Sequence, residues 1–120
     1  MKVLVVDDEY TTLTVAQKLL ENEGYETVVT NNGHGLSKLI TAEKPDLIVI
    51  DIFMPDSDGL ENIHLVKKVS PKLPIIAISS NSKFLKVAEK FGANTSVNKP
   101  LLHNNFIMAV NQLIVTTTKQ

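Results

Sequence analysis

Residues 47–51 read Leu47-Ile48-Val49-Ile50-Asp51, an unbroken apolar run that ends in a carboxylate. A strand with one face in water alternates polar and apolar residues, whereas an unbroken run marks a strand buried on both faces. The same reading applies to Val3-Leu4-Val5-Val6, which runs into Asp7-Asp8-Glu9, and to Ile75-Ile76-Ala77-Ile78, which runs into Ser79-Ser80. Shorter apolar stretches lie at residues 27–29 and around Ser96-Val97.

Between these runs the apolar residues fall at helical spacing. Leu13, Ala16 and Leu20 make one stripe, Leu36, Leu39 and Ile40 a second, and Leu60, Ile63 and Val66 a third. Phe84, Ala88 and Phe91 make a fourth, and Phe106, Val110 and Leu113 a fifth. Gly24, Pro45, Pro71, Pro74 and Gly92 break the chain where those stripes stop. The pattern is a strand–helix unit repeated five times. Parallel strands joined by right-handed helical crossovers make a sheet covered on both faces. The fold class is therefore α/β: a five-stranded parallel sheet of order 2-1-3-4-5, doubly wound and flavodoxin-like, with five helices.

The chain has 120 residues with a hydrophobic share of 43%, enough to bury a core without disulfides or zinc. One domain is expected over 1–120, its core at about 2–114 and a polar tail at 115–120 that frays. Cysteine is absent, which excludes disulfide scaffolds, zinc-thiolate sites and thiol catalysis. The 12 basic residues nearly balance 13 acidic ones, and every basic residue is a lysine. Arginine is the usual bidentate reader of guanine and phosphate, so its absence argues against a nucleic-acid partner. The opening apolar run is far too short for a signal peptide or a membrane span. A cytoplasmic protein with no membrane partner is expected.

In a sheet of this order, ligands sit beyond the carboxyl ends of the strands, where the strand order reverses. Asp7, Asp8 and Glu9 after the first strand would then share a crevice with Asp51 after the third. Crowded carboxylates raise one another's pKa and cost stability. A hard dication relieves this, and Mg²⁺ suits one or two carboxylates, some water and a phosphate oxygen. Each residue also has a plainer reading. The acidic run could cap the first helix. Ser79 could open a polar loop, Asp51 could open the loop toward Met54-Pro55-Asp56, and Lys99 could be an ordinary surface lysine. Their joint placement on successive strand ends favours a site. A carboxylate can attack phosphorus and form an acyl phosphate. Phosphoryl transfer asks mainly for positioning and charge neutralisation. A cation and Lys99 would neutralise, and Ser79 would donate a hydrogen bond to a phosphoryl oxygen.

Over about residues 2–114 the chain resembles the receiver domain of two-component response regulators. The resemblance rests on Val5-Val6-Asp7-Asp8-Glu9, on Asp51-Ile52-Phe53-Met54-Pro55-Asp56-Ser57-Asp58-Gly59-Leu60-Glu61, on Pro74-Ile75-Ile76-Ala77-Ile78-Ser79, and on Gly92-Ala93 followed by Lys99-Pro100-Leu101. It implies that Asp7, Asp8, Asp51 and the backbone carbonyl of Phe53 bind Mg²⁺ (or Mn²⁺). It implies Asp51 as phosphoacceptor, Ser79 as switch hydroxyl, Lys99 as phosphoryl contact, and a cis bond at Lys99-Pro100. The implied donor is a sensor histidine kinase or a phosphotransfer protein, docking near Tyr10, Thr11, Thr14 and Val15 on the first helix. The implied output is contact with an unknown downstream protein through the fourth helix, fifth strand and fifth helix. Self-phosphorylation and self-dephosphorylation are the only catalysis implied, and Phe53 and Asn81 stand where relatives tune the hydrolysis.

One departure is Ser96, where the family usually carries Tyr or Phe. Without a ring there, the usual coupling between the hydroxyl and the exposed face has no vehicle; Phe84, Leu85 or Leu101 are the alternatives. Ser96 thus favours a second reading, a receiver-like interaction domain that does not switch. A third reading, a metal-dependent phosphohydrolase, wants an acid–base Asp two residues after the nucleophile. That position is Phe53, which cannot transfer a proton. His34, His64 and His103 share no ligand spacing.

Overall fold

The structure is a computed structural model in which residues 1–54 and 57–118 are described. In chain order the elements are β1 (Lys2–Val6), α1 (Tyr10–Asn22), β2 (Glu26–Thr30), α2 (Leu36–Glu43) and β3 (Leu47–Asp51). There follow β4 (Phe53–Met54), β5 (Ser57–Asp58), α3 (Gly59–Val69), β6 (Ile75–Ser79), α4 (Lys83–Lys90) and β7 (Thr95–Asn98). A π-helical turn (His103–Ile107) leads into α5 (Met108–Thr118).

The large sheet has the order β2-β1-β3-β6-β7, with every pairing parallel. Counted within that sheet this is 2-1-3-4-5, as the sequence implies. Every residue of β3 and β6 is buried. Alternate side chains of a strand point to opposite faces, and here both faces are covered. Leu4, Val6, Ile48, Ile50, Ile75 and Ala77 pack toward α2, α3 and α4. Val3, Val5, Leu47, Val49, Ile76 and Ile78 pack toward α1, the π-helical turn and α5. An edge strand with a less covered surface needs no continuous run, and β2 is only partly buried.

Four of the five stripes bury two or more of their residues in the core. Leu13, Ala16 and Leu20 of α1 are buried, as are Leu36 and Ile40 of α2 and Ile63 and Val66 of α3. In the fifth, Phe106 and Val110 are fully buried, but Phe106 lies in the π-helical turn rather than in α5. The fourth stripe is corrected. Leu85 and Ala88 are buried, while Phe84 and Phe91 face outward. Leu85 and Ala88 are separated by three residues, a spacing as helical as that of Phe84 and Ala88, and the packing chose the aliphatic pair.

Two further differences concern local structure. Between Asp51 and α3 the chain forms a small antiparallel ribbon, β4 with β5, pairing Phe53 with Asp58 and Met54 with Ser57. Segments of two residues have no period to read. The polar tail expected to fray from residue 115 is instead helical to Thr118. Thr116 Oγ1 donates to the Gln112 carbonyl at 2.8 Å, so the hydroxyl is satisfied within the helix. Lys119 and Gln120, like Pro55 and Asp56, lie outside the described residues. Among the described residues no helix is long and apolar enough to cross a membrane.

Candidate functional site

Strand register delivers the site. Val6 pairs with Ile50, and Asp51 pairs with Ile78, so β1, β3 and β6 end along one edge. Asp7, Asp51 and Ser79 therefore arrive together, at 0%, 2% and 0% exposure. Asp8 is half-buried beside them. One carboxylate oxygen from each of Asp7, Asp8 and Asp51 lies within 4.8 Å of the others. Residues 44 apart in sequence thus share one pocket, and no histidine joins them among the described residues.

Buried polar atoms must be satisfied, and one device does it three times. Asp7 Oδ1 accepts from the Glu9 N–H at 2.9 Å, Asp51 Oδ1 from the Phe53 N–H at 3.0 Å, and Ser79 Oγ from the Asn81 N–H at 3.0 Å. Each bond reaches two residues on and turns the chain away from its strand end. The second oxygens of the two buried carboxylates face Lys99. Its Nζ lies 2.8 Å from Asp7 Oδ2 and 3.3 Å from Asp51 Oδ2. The Lys99 N–H donates to the Ser79 carbonyl at 2.9 Å, which brings the lysine to this edge. The Lys99-Pro100 bond is cis, as the resemblance implies.

Glu9 is a member of the site that sequence reading left without a role. Its Oε1 lies 2.7 Å from Lys99 Nζ. Its place in the acidic run was the available signal. The helix-capping alternative has little support: Glu9 is the N-cap of α1 but makes no side-chain cap bond.

Burial pushes Asp51 up to about 7. The charge of Asp7 adds to that rise, while the Phe53 N–H and Lys99 oppose it. Burial also raises Asp7, against the pull of Lys99 and the Glu9 N–H. For Lys99 burial works the other way, but Asp7, Glu9 and Asp51 outweigh it and hold the proton on more tightly than usual. One ammonium thus serves several carboxylates. Asp7 Oδ2 is fully buried, and the partner it meets is the Lys99 ammonium at 2.8 Å, which Glu9 and Asp51 share. An all-oxygen donor set from Asp7, Asp8 and Asp51, carrying more negative charge than one ammonium neutralises, fits a hard dication.

At the position of the family's aromatic ring, Ser96 Oγ donates to Glu89 Oε2 of α4. Of the three alternatives for that ring's role, Leu85 and Leu101 are buried and Phe84 is at the surface. The histidines stand apart from the site, and His103 pairs with Glu23 instead.

Residues 3–111 match the family described as the response regulator receiver domain. The chain is 36% identical over 101 residues to the alkaline phosphatase synthesis transcriptional regulatory protein PhoP of Bacillus subtilis (strain 168), covering 82% of this chain and 42% of PhoP. It is 29% identical over 101 residues to the sporulation initiation phosphotransferase F of the same organism, covering 82% of each. The crystal structure of the receiver domain of NtrX from Brucella abortus matches with a TM-score of 0.88 at 29% identity, over 95% of this chain and 98% of that one. The chain spans less than half the length of PhoP and about a fifth of the DNA-binding transcriptional regulator NtrC of Rhizobium meliloti (strain 1021). Fold, strand order and sequence agree, and the chain belongs to the receiver domain family of two-component response regulators.

Proposed function

We propose that this receiver domain is a phosphoacceptor switch, taking a phosphoryl group from a sensor histidine kinase or a phosphotransfer protein onto Asp51. The observation that carries this reading is the buried Asp51 carboxylate, with Oδ2 3.3 Å from Lys99 Nζ and within reach of Asp7 and Asp8. Asp51 Oδ1 is held by the Phe53 N–H, which leaves Oδ2 as the nucleophilic oxygen. Its attack forms the oxygen–phosphorus bond as the phosphorus–nitrogen bond to the donor imidazole breaks. Lys99 neutralises charge on the phosphoryl oxygens, and the Ser79 hydroxyl proton is directed to one of them. Asp7, Asp8, Asp51 and the backbone carbonyl of Phe53 would hold Mg²⁺ (or Mn²⁺). When bound, the ion neutralises the carboxylates and the incoming phosphoryl group.

Phe53 offers no group that moves a proton. Catalysis is therefore limited to self-phosphorylation from small donors and self-dephosphorylation. We place the protein in the cytoplasm as a single receiver domain over 1–120. It signals by contact with a downstream protein and has neither nucleic acid nor membrane as its own partner. The exposed Tyr10, Thr11, Thr14 and Val15 form the donor's docking face.

The second reading, an interaction domain that does not switch, draws on the Ser96–Glu89 bond at the usual aromatic position. Phosphotransfer from a panel of labelled sensor kinases, with and without Mg²⁺, tests both. Transfer to the wild type with Mg²⁺ and none to Asp51→Asn is the expected result. No transfer from any donor overturns the switch and leaves the interaction domain.

A further inference from the structure

Two aromatic rings stand at the surface on segments that lead away from the acidic pocket. Phe53 is 52% exposed and Phe84 37%. They are not scattered: their centroids are 4.5 Å apart and their planes meet at 84°, an edge-to-face pair. Each ring is carried by chain that is bonded to a site residue. The Phe53 N–H donates to Asp51 Oδ1. The Phe84 N–H donates to the Asn81 carbonyl at 3.2 Å, and the Asn81 N–H donates to Ser79 Oγ. The ring pair therefore joins the chain leaving Asp51 to the chain leaving Ser79.

We propose that Phe84 is a positioning residue that clamps Phe53 beside the phosphoryl site, so that the ring pair sets how fast water reaches the acyl phosphate. This rests on the reading of Asp51 as the phosphoacceptor. In the hydrolysis, a water oxygen forms a bond to phosphorus and the bond from phosphorus to Asp51 Oδ2 breaks. The carboxylate is regained, and inorganic phosphate leaves with the water's protons shared between it and solvent. Neither ring can take a proton, and the Asn81 amide is no base at neutral pH. Access is what these side chains can control. Phe53 supplies the apolar wall, and Phe84 holds that wall through the edge-to-face contact.

The test loads the full chain with a small acyl phosphate and Mg²⁺, removes the donor, and follows the half-life of the phosphoryl group on Asp51. Phe53→Ala and Phe84→Ala should each shorten it about three- to tenfold, the size of such a ring contact expressed as a rate ratio. The double variant should lose phosphate no faster than Phe53→Ala alone. Phe84→Tyr should restore the wild-type lifetime, whereas Phe84→Leu, apolar but flat-sided nowhere, should behave like alanine. Both phenylalanines are exposed, so the variants should melt near the wild type, and a melting scan checks this. An unchanged lifetime in Phe84→Ala, or effects of the two alanine variants that multiply, overturns the clamp alone. Failure of the wild type to take up phosphoryl at all overturns the phosphoacceptor reading and the clamp with it.

Discussion

Asp51 is nearly inaccessible to solvent, and as the proposed phosphoacceptor it would have to react as an anion. Without a cation its pKa is pushed up to about 7 by burial, from an ordinary 3.8. The folded chain thus keeps a proton that the unfolded chain has already lost. Stability of the cation-free protein should fall as pH rises from about 4 to about 7 and then level off. The raised pKa of Asp7 acts in the same direction. A tenfold change in proton affinity is worth roughly 1.4 kcal/mol, so the rise at Asp51 corresponds to a change on the order of 4 kcal/mol across that range. Urea melts across that range measure the slope. In Asp51→Asn the slope should flatten, and stability at pH 7 should rise by about 1–2 kcal/mol. Lys99 keeps Asp7 and Glu9 as partners in that variant. A steeper slope, or a variant less stable than the wild type at pH 7, would contradict the burial argument.

At the level of elements, the start of α3 matters most to the pocket. A Cβ at Gly59 would lie 2.3 Å from Ile52 Cα and 2.6 Å from the Asp51 carbonyl oxygen, closer than atoms can approach. The absence of a side chain is what lets α3 begin directly against the end of β3. Gly59→Ala should cost about 2–4 kcal/mol in a urea melt, because backbone must move to make room. An unchanged midpoint would contradict this. β1, β3 and β6 were legible in the sequence because burial on both faces leaves no polar position to interrupt the run. The stripe of α1 was legible because its three turns offer one apolar face. The two turns of α4 offer two faces of similar apolarity, and only packing against the sheet separates Leu85 from Phe84. The β4–β5 ribbon arises from tertiary position and has no local signature.

Across the whole molecule, Asp7, Asp51, Ser79 and Lys99 could be brought together on paper because each stands at a strand end, and the topology puts all the strand ends on one edge. Parallel register then does the rest. Glu9 was placed in the crevice without its contact to Lys99, and Phe84 was named without its contact to Phe53. Their partners are reached by side chains lying across the pocket, which neither spacing nor strand order encodes. On the proposed reading the dication and the reactive carboxylate form one device, and Asp7 and Asp8 would serve signalling only with Asp51 beside them. Intact-protein mass after treatment with a small acyl phosphate, with Mg²⁺ or with chelator, examines that joint dependence. A single phosphoryl group should appear on the wild type with Mg²⁺ only, and on Asp51→Asn under neither condition. Uptake that ignores Mg²⁺, that persists in Asp51→Asn, or that never occurs in the wild type would contradict it.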